Sequence, residues 1–316
     1  MNVLVTGGRG LVGRHLLPVL REAGHDAAVL SRSSSPVVDY RVFTWRPHLQ
    51  ELEEEALRWA DAVVHLAGAN IGTRRWTARR KQELFDSRVQ STRLLLETAR
   101  RLGCTMRVFV AASAVGYYGA VTRNRPFVEE DPPGKDFLAE LCRQWEAQSD
   151  GFREMGARVV RLRTGVVLAR DGGALPRLMA PVKWGLGSPL GSGKQYFPWI
   201  HITDLVRLYA EALSNGRFAG PYNAVAPQQV QQRQFMRVLA DVLHRPLFMP
   251  GIPAFPLRIL LGEFSKTLVE GSPVSAQKIL NTGFSYRFPE LRPALEDLLC
   301  KSGEERSSSQ GFRVVR

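Results

Sequence analysis

Cysteine is scarce in this chain, and long apolar runs are missing. Cys104, Cys142 and Cys300 are the three cysteines among 316 residues, and they lie far apart. An odd number of widely spaced thiols forms neither a disulfide framework nor a metal site, and it suits a reducing cytoplasm. No uncharged apolar run approaches the ~20 residues that span a bilayer. The chain enters a strand at once, so we expect neither a membrane partner nor a signal peptide.

Acidic residues are the minority among the charged ones. Lys and Arg number 43 against 30 Asp and Glu, which gives a formal net charge of +13. Such a surplus can attract nucleic acid or acidic lipid. The cations are scattered in short clusters, however, and no aromatic stacking platform or known nucleic-acid motif accompanies them. We therefore expect no nucleic-acid partner and interpret the charge as attraction of an anionic cofactor and a phosphate-bearing substrate.

The most informative stretch lies at the amino end, where a strand, a glycine turn and a helix follow one another. Residues 3–5 are apolar, glycines stand at 7, 8, 10 and 13, and a helical pattern then runs to Gly24. Residues without a Cβ let the backbone bend closely around a pyrophosphate, and free N–H groups at the helix start bind the anion. The pattern predicts a dinucleotide site; the alternative is a tight turn in an unrelated α/β protein.

The end of the second predicted strand, residues 27–30, distinguishes between the two nicotinamide dinucleotides. An NAD site usually carries Asp or Glu here, to accept hydrogen bonds from the ribose hydroxyls. This chain has Ser31 and Arg32 instead. A guanidinium is a fork of donors suited to a phosphate, so we predict NADP(H). The alternative for Arg32 is an ordinary solvated arginine.

Further apolar runs alternate with helical patterns. Predicted strands at 62–66, 107–112 and 157–162 are separated by predicted helices at 79–102 and 137–155. This alternation predicts the α/β class, with a Rossmann-type doubly wound parallel sheet. Glycine and proline become frequent after residue 165, which predicts a small C-terminal substrate lid. We assign 1–165 and a returning segment at 198–224 to the cofactor domain, 166–197 and 225–300 to the lid, and 301–316 to a polar tail.

Several longer blocks resemble one protein family. They are HLAG at 65–68, WTARRKQELFDSR at 76–88, SAVGYYG at 113–119, Trp145-Glu146, RTGVVLARDGGAL at 163–175, the segment 185–205 and the block at 260–291. Together they resemble an atypical branch of the extended short-chain dehydrogenase/reductases. This "epimerase family" branch consists of predicted nucleoside-diphosphate-sugar epimerases with a C-terminal domain of unknown function. The resemblance extends to about residue 298.

The resemblance implies a Rossmann domain that binds NADP beneath a small lid. On the helix after HLAG, the implied contacts Glu83 and Arg88 are five residues apart, about 140° around a regular α-helix. The implied cofactor contacts are Gly7, Gly10, Leu11, Val12, Gly13, Ser31, Arg32, Leu66, Ala67, Glu83, Arg88 and Leu168.

The Tyr-x-x-x-Lys pair that is catalytic in extended dehydrogenases is missing from this sequence. Extended dehydrogenases carry Tyr-x-x-x-Lys on one face of the helix after the serine strand, where the lysine lowers the tyrosine pKa. No tyrosine of this chain has a lysine four positions later. Phe137 or Leu138 falls at the tyrosine position, and Leu141 or Cys142 at the lysine position.

Other polar groups are available at the ends of the predicted strands. Ser113 ends the central strand, and Tyr118 follows within reach. We predict these two as the catalytic residues, with His201 and Asp204 as alternatives on the returning segment. A buried histidine is more often a satisfied core residue than a base.

Two functions remain open from the sequence. The first is an NADP-dependent oxidoreductase or nucleotide-sugar epimerase that lacks the usual dyad and acts on a small polar, nucleotide-linked substrate. The second is a catalytically weak NADP-binding protein that serves as a redox sensor or partner-binding regulator. The lid favours the first and the missing dyad favours the second.

Overall fold

A computed structural model describes residues 1–247 and 251–300. The predicted tail at 301–316 and residues 248–250 of the predicted lid lie outside the described residues. The strands are β1 Asn2–Thr6, β2 Asp26–Ser31, β3 Arg41–Arg46, β4 Glu51–Leu52, β5 Ala62–His65, β6 Val108–Ala114, β7 Arg158–Thr164, β8 Val166–Ala169, β9 Gly172–Gly173, β10 Trp199–His201 and β11 Gly220–Ala224. The helices are α1 Leu11–Glu22, α2 Glu55–Trp59, α3 Ala78–Phe85, α4 Ser91–Arg101, α5 Phe137–Asp150, α6 Leu175–Lys183, α7 Ile202–Ser214, α8 Gln232–Val242, α9 Ala254–Leu261, α10 Lys266–Val269, α11 Gln277–Leu280 and α12 Leu291–Cys300.

An eight-stranded sheet forms the centre of the molecule, with the order β11-β7-β6-β5-β1-β2-β3-β4. All neighbouring strands are parallel except β3 and β4, which form an antiparallel edge. The strand order reverses beside β1, since β2 lies on one side of it and β5 on the other. The predicted α/β class and doubly wound parallel sheet are confirmed.

Helices cover both faces of this sheet because the strand residues alternate between two cores. Val3 and Val5 of β1 point to the same side as Leu16 of α1 and Leu205 of α7. Leu4, between them, joins a second cluster that contains residues of α2 and α4. Since apolar side chains project from both faces of the central strands, the sheet is buried on both sides, as parallel sheets usually are.

A smaller sheet, in the order β10-β8-β9, lies beside the main one. Of the predicted returning segment 198–224, β11 pairs with β7 in the main sheet, whereas β10 pairs with β8 in the small sheet. Helix α6 packs against β8 and β9 of this sheet, and α8 packs against both α6 and α12. None of the helices formed by residues 1–247 and 251–300 has the length and apolar content that a bilayer span requires.

Candidate functional site

The glycine turn between β1 and α1 is packed so tightly that side chains would not fit. The N–H of Gly10 donates to the carbonyl of Gly7 at 2.8 Å, and Gly7 has a φ of +68°. A Cβ on Gly13 would lie 2.4 Å from the oxygen of Gly7. Gly10 caps α1 without a side-chain hydrogen bond, so the first N–H groups of this helix are available to an anion. This cradle fits a dinucleotide pyrophosphate.

The carboxyl end of β5 lies directly against this turn. The Thr6 hydroxyl accepts hydrogen bonds from the backbone N–H groups of Leu66 and Ala67, both at 3.1 Å. The same hydroxyl oxygen lies 2.8 Å from Nδ1 of the fully buried His65. Leu66 and Ala67 therefore lie beside the turn, as a cofactor contact requires. Thr6 and His65 were not predicted, although a threonine directly after the apolar run of β1 was a usable signal.

The end of β2 presents hydroxyls and a guanidinium to a groove. Ser31 is buried, and its Oγ accepts a hydrogen bond from the N–H of Ser33 at 3.2 Å. Arg32 is exposed and makes no hydrogen bond or ion pair with any residue in 1–247 or 251–300. It lines a groove of about 610 Å³ together with residues that follow β2 and residues of β3 and β4. An arginine without a partner at this strand end is suited to a phosphate.

The helix predicted over 79–102 is divided by a π-helical segment, Asp86–Gln90, between α3 and α4. Nearby hydroxyls satisfy the carbonyls of this wider turn: Thr92 donates to the carbonyl of Arg88 at 2.7 Å, and Ser91 donates to that of Ser87 at 2.8 Å. Ser87 accepts the N–H of Ala69 at 3.0 Å, which ties the segment to the chain after β5. The regular helix that sequence periodicity predicts is therefore interrupted at Arg88.

Glu83 and Arg88, both predicted cofactor contacts, have different surroundings. Glu83 is exposed and pairs with Arg80 at 2.5 Å. Arg88 lies over the Trp145 ring, 5.3 Å from its centroid, and its guanidinium carbon would be 3.0 Å from a Cβ on Gly68. Burial lowers the pKa of Arg88 to about 10, so it stays charged at neutral pH. None of the carboxylates in the described part of the chain forms an ion pair with it.

Leu168, the last predicted cofactor contact, lies in β8 and is fully buried. It pairs with His201 of β10 on one side and with Gly173 of β9 on the other. Leu11, at the start of α1, approaches the β8–β9 turn and would lie 3.0 Å from a Cβ on Gly173. The small sheet therefore borders the glycine turn, but the side chain of Leu168 belongs to the core.

The two predicted catalytic residues belong to one buried polar network. Ser113 donates to Oε1 of Glu146 at 2.6 Å, and Nη1 of Arg163 donates to the Tyr118 hydroxyl at 3.0 Å. Arg163 and Glu146 connect the two halves through an ion pair. Tyr118 in turn donates to the amide oxygen of Asn223 at 2.7 Å. Burial raises the pKa of Tyr118 to about 12, so its phenol is protonated at neutral pH.

This network engages both hydroxyls inside the protein. Ser113 is 4% exposed and Tyr118 is 2% exposed. The catalytic assignment of these residues stays a prediction, and it requires that Ser113 exchange Glu146 for a substrate oxygen. Sequence reasoning missed Glu146 and Arg163, although Trp145-Glu146 and the RTG at 163–165 stood in the blocks that carry the family resemblance.

Helix α5 presents apolar groups at the positions considered for the missing dyad. Leu138, Leu141 and Cys142 are all buried. Burial raises the pKa of the Cys142 thiol to about 12, so it carries a proton at neutral pH. A buried protonated thiol is a poor acid or base at that pH.

The alternative catalytic residues, His201 and Asp204, make structural contacts within the protein. Nδ1 of His201 accepts the N–H of Thr203 at 3.1 Å and caps α7. The fully buried carboxylate of Asp204 accepts the backbone N–H groups of Arg287 and Phe288 at 2.8 and 2.9 Å. These bonds attach the segment before α12 to the start of α7. Across the described ranges, no group of three or more His, Cys, Asp or Glu side chains could hold a metal ion.

Comparison with known proteins supports what the geometry indicates. Residues 3–225 match the model of the NAD dependent epimerase/dehydratase family, and residues 252–298 match a domain of unknown function. The chain is 37% identical to the mouse epimerase family protein SDR39U1 over 303 residues, which is 95% of this chain and 100% of that one. It is 34% identical to the epimerase family protein YfhF of Bacillus subtilis, over 95% of this chain and 98% of that protein.

A solved structure has the same fold over the same length. The crystal structure of human epimerase family protein SDR39U1, isoform 2, with NADPH superposes with a TM-score of 0.85 at 34% identity, and the match covers 96% of this chain and 100% of that one. The resemblance read from the sequence blocks is thereby confirmed. The chain belongs to the NAD dependent epimerase/dehydratase family, among the extended short-chain dehydrogenase/reductases that are called epimerase family proteins.

Proposed function

We propose that this chain binds NADP(H) in the crevice between the glycine turn and the ends of β2 and β5. The observation that carries the proposal is Arg32, an unpaired exposed guanidinium at the β2 end, where an NAD site usually has a carboxylate. The tight turn of Gly7 to Gly13 receives the pyrophosphate, and Leu66 and Ala67 border the adenosine. The related human protein, crystallised with NADPH, supports the choice of cofactor.

Arg88 supplies the second unpaired cation of this crevice. It lies against Gly68, just past the end of β5, and has no carboxylate partner among the described residues. A half-buried charge without a countercharge is unfavourable in a protein interior, so a bound anion or polyhydroxylated group stabilises it. We assign Arg88 to the cofactor, together with Glu83 and the backbone of Leu168.

The proposed reaction class is oxidoreductase or nucleotide-sugar epimerase chemistry on a small polar, nucleotide-linked substrate. When bound, NADP(H) supplies two-electron redox chemistry. The usual Tyr-x-x-x-Lys dyad is lacking, so Ser113 and Tyr118 are the proposed groups that orient and protonate a substrate oxygen. Three free thiols suit a reducing cytoplasm, which is the proposed location.

A second candidate function is a redox sensor or partner-binding regulator. It is favoured by the buried network of Ser113, Glu146, Arg163 and Tyr118, because hydroxyls that already have protein partners are not free for a substrate. This protein would bind NADP(H) with little turnover.

Binding of the two dinucleotides tests the proposed cofactor. We expect tighter binding of NADPH than of NADH, and Arg32→Ala should weaken NADPH binding about ten- to a hundredfold, since hydrogen bonds to charged groups contribute about 1.5–3 kcal/mol. Binding of NADH should change little. Tighter binding of NADH by the unaltered protein would refute the assignment.

Turnover distinguishes the two candidate functions. Cofactor fluorescence should be followed with a panel of nucleotide sugars, aldehydes and ketones. Turnover of any member supports the enzyme, and Ser113→Ala should then reduce its rate while leaving NADPH affinity unchanged. Saturable NADPH binding without turnover, joined by a partner that binds only in the presence of cofactor, supports the sensor.

A further inference from the structure

We propose that Arg46, at the end of β3, is a second guanidinium for the adenosine 2′-phosphate and contributes to the selectivity for NADP over NAD. This inference rests on the proposed function. It assigns to the cofactor site a residue of β3, outside the glycine turn and the β2 end.

The sheet register brings Arg46 to the same edge of the sheet as Arg32. Strands β2 and β3 are parallel neighbours, and Ser31 lies opposite Thr44. Neighbouring strands are about 4.8 Å apart, so the residues that follow Ser31 and Thr44 emerge at the same edge of the sheet. Arg32 and Arg46 both line the groove of about 610 Å³, a volume in the range of small-molecule sites.

Arg46 is available for a new partner. Its contact is with Glu51, at 3.3 Å, and the two side chains are 60% and 57% exposed. Exposed ion pairs of this kind contribute little to stability. A phosphate monoester carries more charge than one carboxylate at neutral pH, so it attracts Arg46 more strongly than Glu51 does.

The second acidic side chain of the groove is held in place by Thr44 of β3. Besides Glu51, the groove contains Glu53. The Glu53 carboxylate is already engaged, because it accepts the N–H and the hydroxyl of Thr44 at 2.8 and 3.1 Å.

The loop opposite Arg46 is also held in place. Ser33 and Ser34 line the groove, and the guanidinium of Arg9, in the glycine turn, donates to the carbonyl of Ser35. The hydroxyls of Ser33 and Ser35 lie 2.8 Å apart. The groove therefore has serine hydroxyls on the β2 side and Arg46 on the β3 side, which is an arrangement suited to a phosphate between them.

The experiment measures dissociation constants of the whole chain for NADPH and NADH, and for 2′,5′-ADP and 5′-AMP as smaller probes. The variants are Arg46→Ala and Arg46→Gln. The control is Arg41→Ala, since Arg41 is on the same strand, is similarly exposed and pairs with Glu55 at 3.8 Å. We expect both Arg46 variants to weaken NADPH and 2′,5′-ADP about tenfold, with NADH and 5′-AMP within twofold of the unaltered protein.

Removal of the competing carboxylate gives a second test. Glu51→Gln frees Arg46 and should strengthen NADPH binding severalfold without changing NADH binding. The inference is overturned if the ratio of the NADH and NADPH dissociation constants is unchanged in the Arg46 variants, or if it falls equally in Arg41→Ala. These outcomes differ from failure of the proposed function, in which the unaltered protein would bind neither dinucleotide or would bind NADH more tightly than NADPH.

Discussion

The guanidinium of Arg163 donates two hydrogen bonds to the carboxylate of Glu146, from Nε to Oε1 at 2.8 Å and from Nη2 to Oε2 at 2.9 Å. The side chains are 3% and 5% exposed. This bidentate pair joins β7 to α5 and brings Ser113 and Tyr118 into one network. Because Arg163 is buried, its charge depends on Glu146 for compensation.

Truncation of one partner is expected to destabilise the fold. Glu146→Ala leaves the Arg163 charge buried without compensation, and such a change lowers the free energy of unfolding by about 3–5 kcal/mol. Urea unfolding measures the loss. Glu140→Ala, which breaks an exposed pair with Arg143 on the same helix, should lose less than about 1 kcal/mol. Equal losses in the two variants would show that Glu146 and Arg163 contribute no more than a surface pair.

The parts of this molecule that the sequence could predict are those determined by neighbours along the chain. Glycine spacing and an apolar run predicted β1, the turn and α1, and the same reasoning found β5, β6 and β7. In each case the residues that set the structure lie within a few positions of it. The exposed Arg32 at the β2 end was found in the same way, because its position follows from a strand end.

Long-range pairing could not be predicted. Ser113 and Glu146 are 33 residues apart, and the bond between them depends on how α5 lies on the sheet. The π-helical segment before α4 could not be predicted for a related reason. The hydroxyl bonds of Ser91 and Thr92 and the bond from Ala69 to Ser87 stabilise it, but they do not alter the periodicity of the apolar residues. The position of Arg88 against Gly68 therefore could not be predicted from the sequence.

The packing of the glycine turn predicts a sharp effect of one methyl group. In Gly13→Ala the new Cβ would lie 2.4 Å from the Gly7 oxygen and 2.5 Å from the Gly8 Cα, so the backbone must shift. We expect NADPH binding to weaken more than about tenfold and stability to fall by about 1–3 kcal/mol. Fluorescence titration and urea unfolding measure the two effects.

A matched control separates this clash from the general effect of replacing glycine. Gly216 has open space where a Cβ would be added. Gly216→Ala should leave NADPH binding unchanged and should alter stability by less than about 1 kcal/mol. If Gly13→Ala behaved like Gly216→Ala, the turn would not be the constrained cradle that its geometry indicates.

His65 predicts a dependence of stability on pH. Burial, with a smaller contribution from Arg88, lowers the pKa of this imidazole from 6.5 to about 3. The unfolded chain therefore binds a proton between pH 6.5 and 3 that the folded chain does not, and stability falls as the pH falls through this window. The loss from His65 between pH 7 and pH 5 is about 2 kcal/mol, since each pH unit below 6.5 contributes about 1.36 kcal/mol.

Urea unfolding of the unaltered protein and His65→Gln at pH 7 and pH 5 measures this contribution. The variant lacks the titrating imidazole, so its stability should change less over the interval. Burial raises the pKa of Glu129, which gives a change of opposite sign in both proteins and cancels in the comparison. Equal changes in the two proteins would contradict a buried neutral His65.

Lys81 and Glu263 form one of the contacts between the cofactor domain and the C-terminal domain. The ammonium group forms an ion pair with the Glu263 carboxylate and lies 4.9 Å from the centroid of the Phe137 ring. Beside it, the rings of Trp76 and Phe264 are 5.4 Å apart. The two side chains of the ion pair are 30% and 37% exposed, so solvent screens their attraction in part.

A double-mutant cycle of Lys81→Met and Glu263→Gln should give a coupling of about 0.5–1 kcal/mol in the free energy of unfolding. The control cycle is Arg93→Ala with Glu97→Ala, an exposed pair within α4, for which about 0.3–0.5 kcal/mol is expected. Because the first pair joins two domains, its loss should also increase proteolysis of the chain around residues 252–264, whereas the control should not. Additive effects of Lys81→Met and Glu263→Gln, with unchanged proteolysis, would mean that this ion pair does not help to hold the C-terminal domain in place.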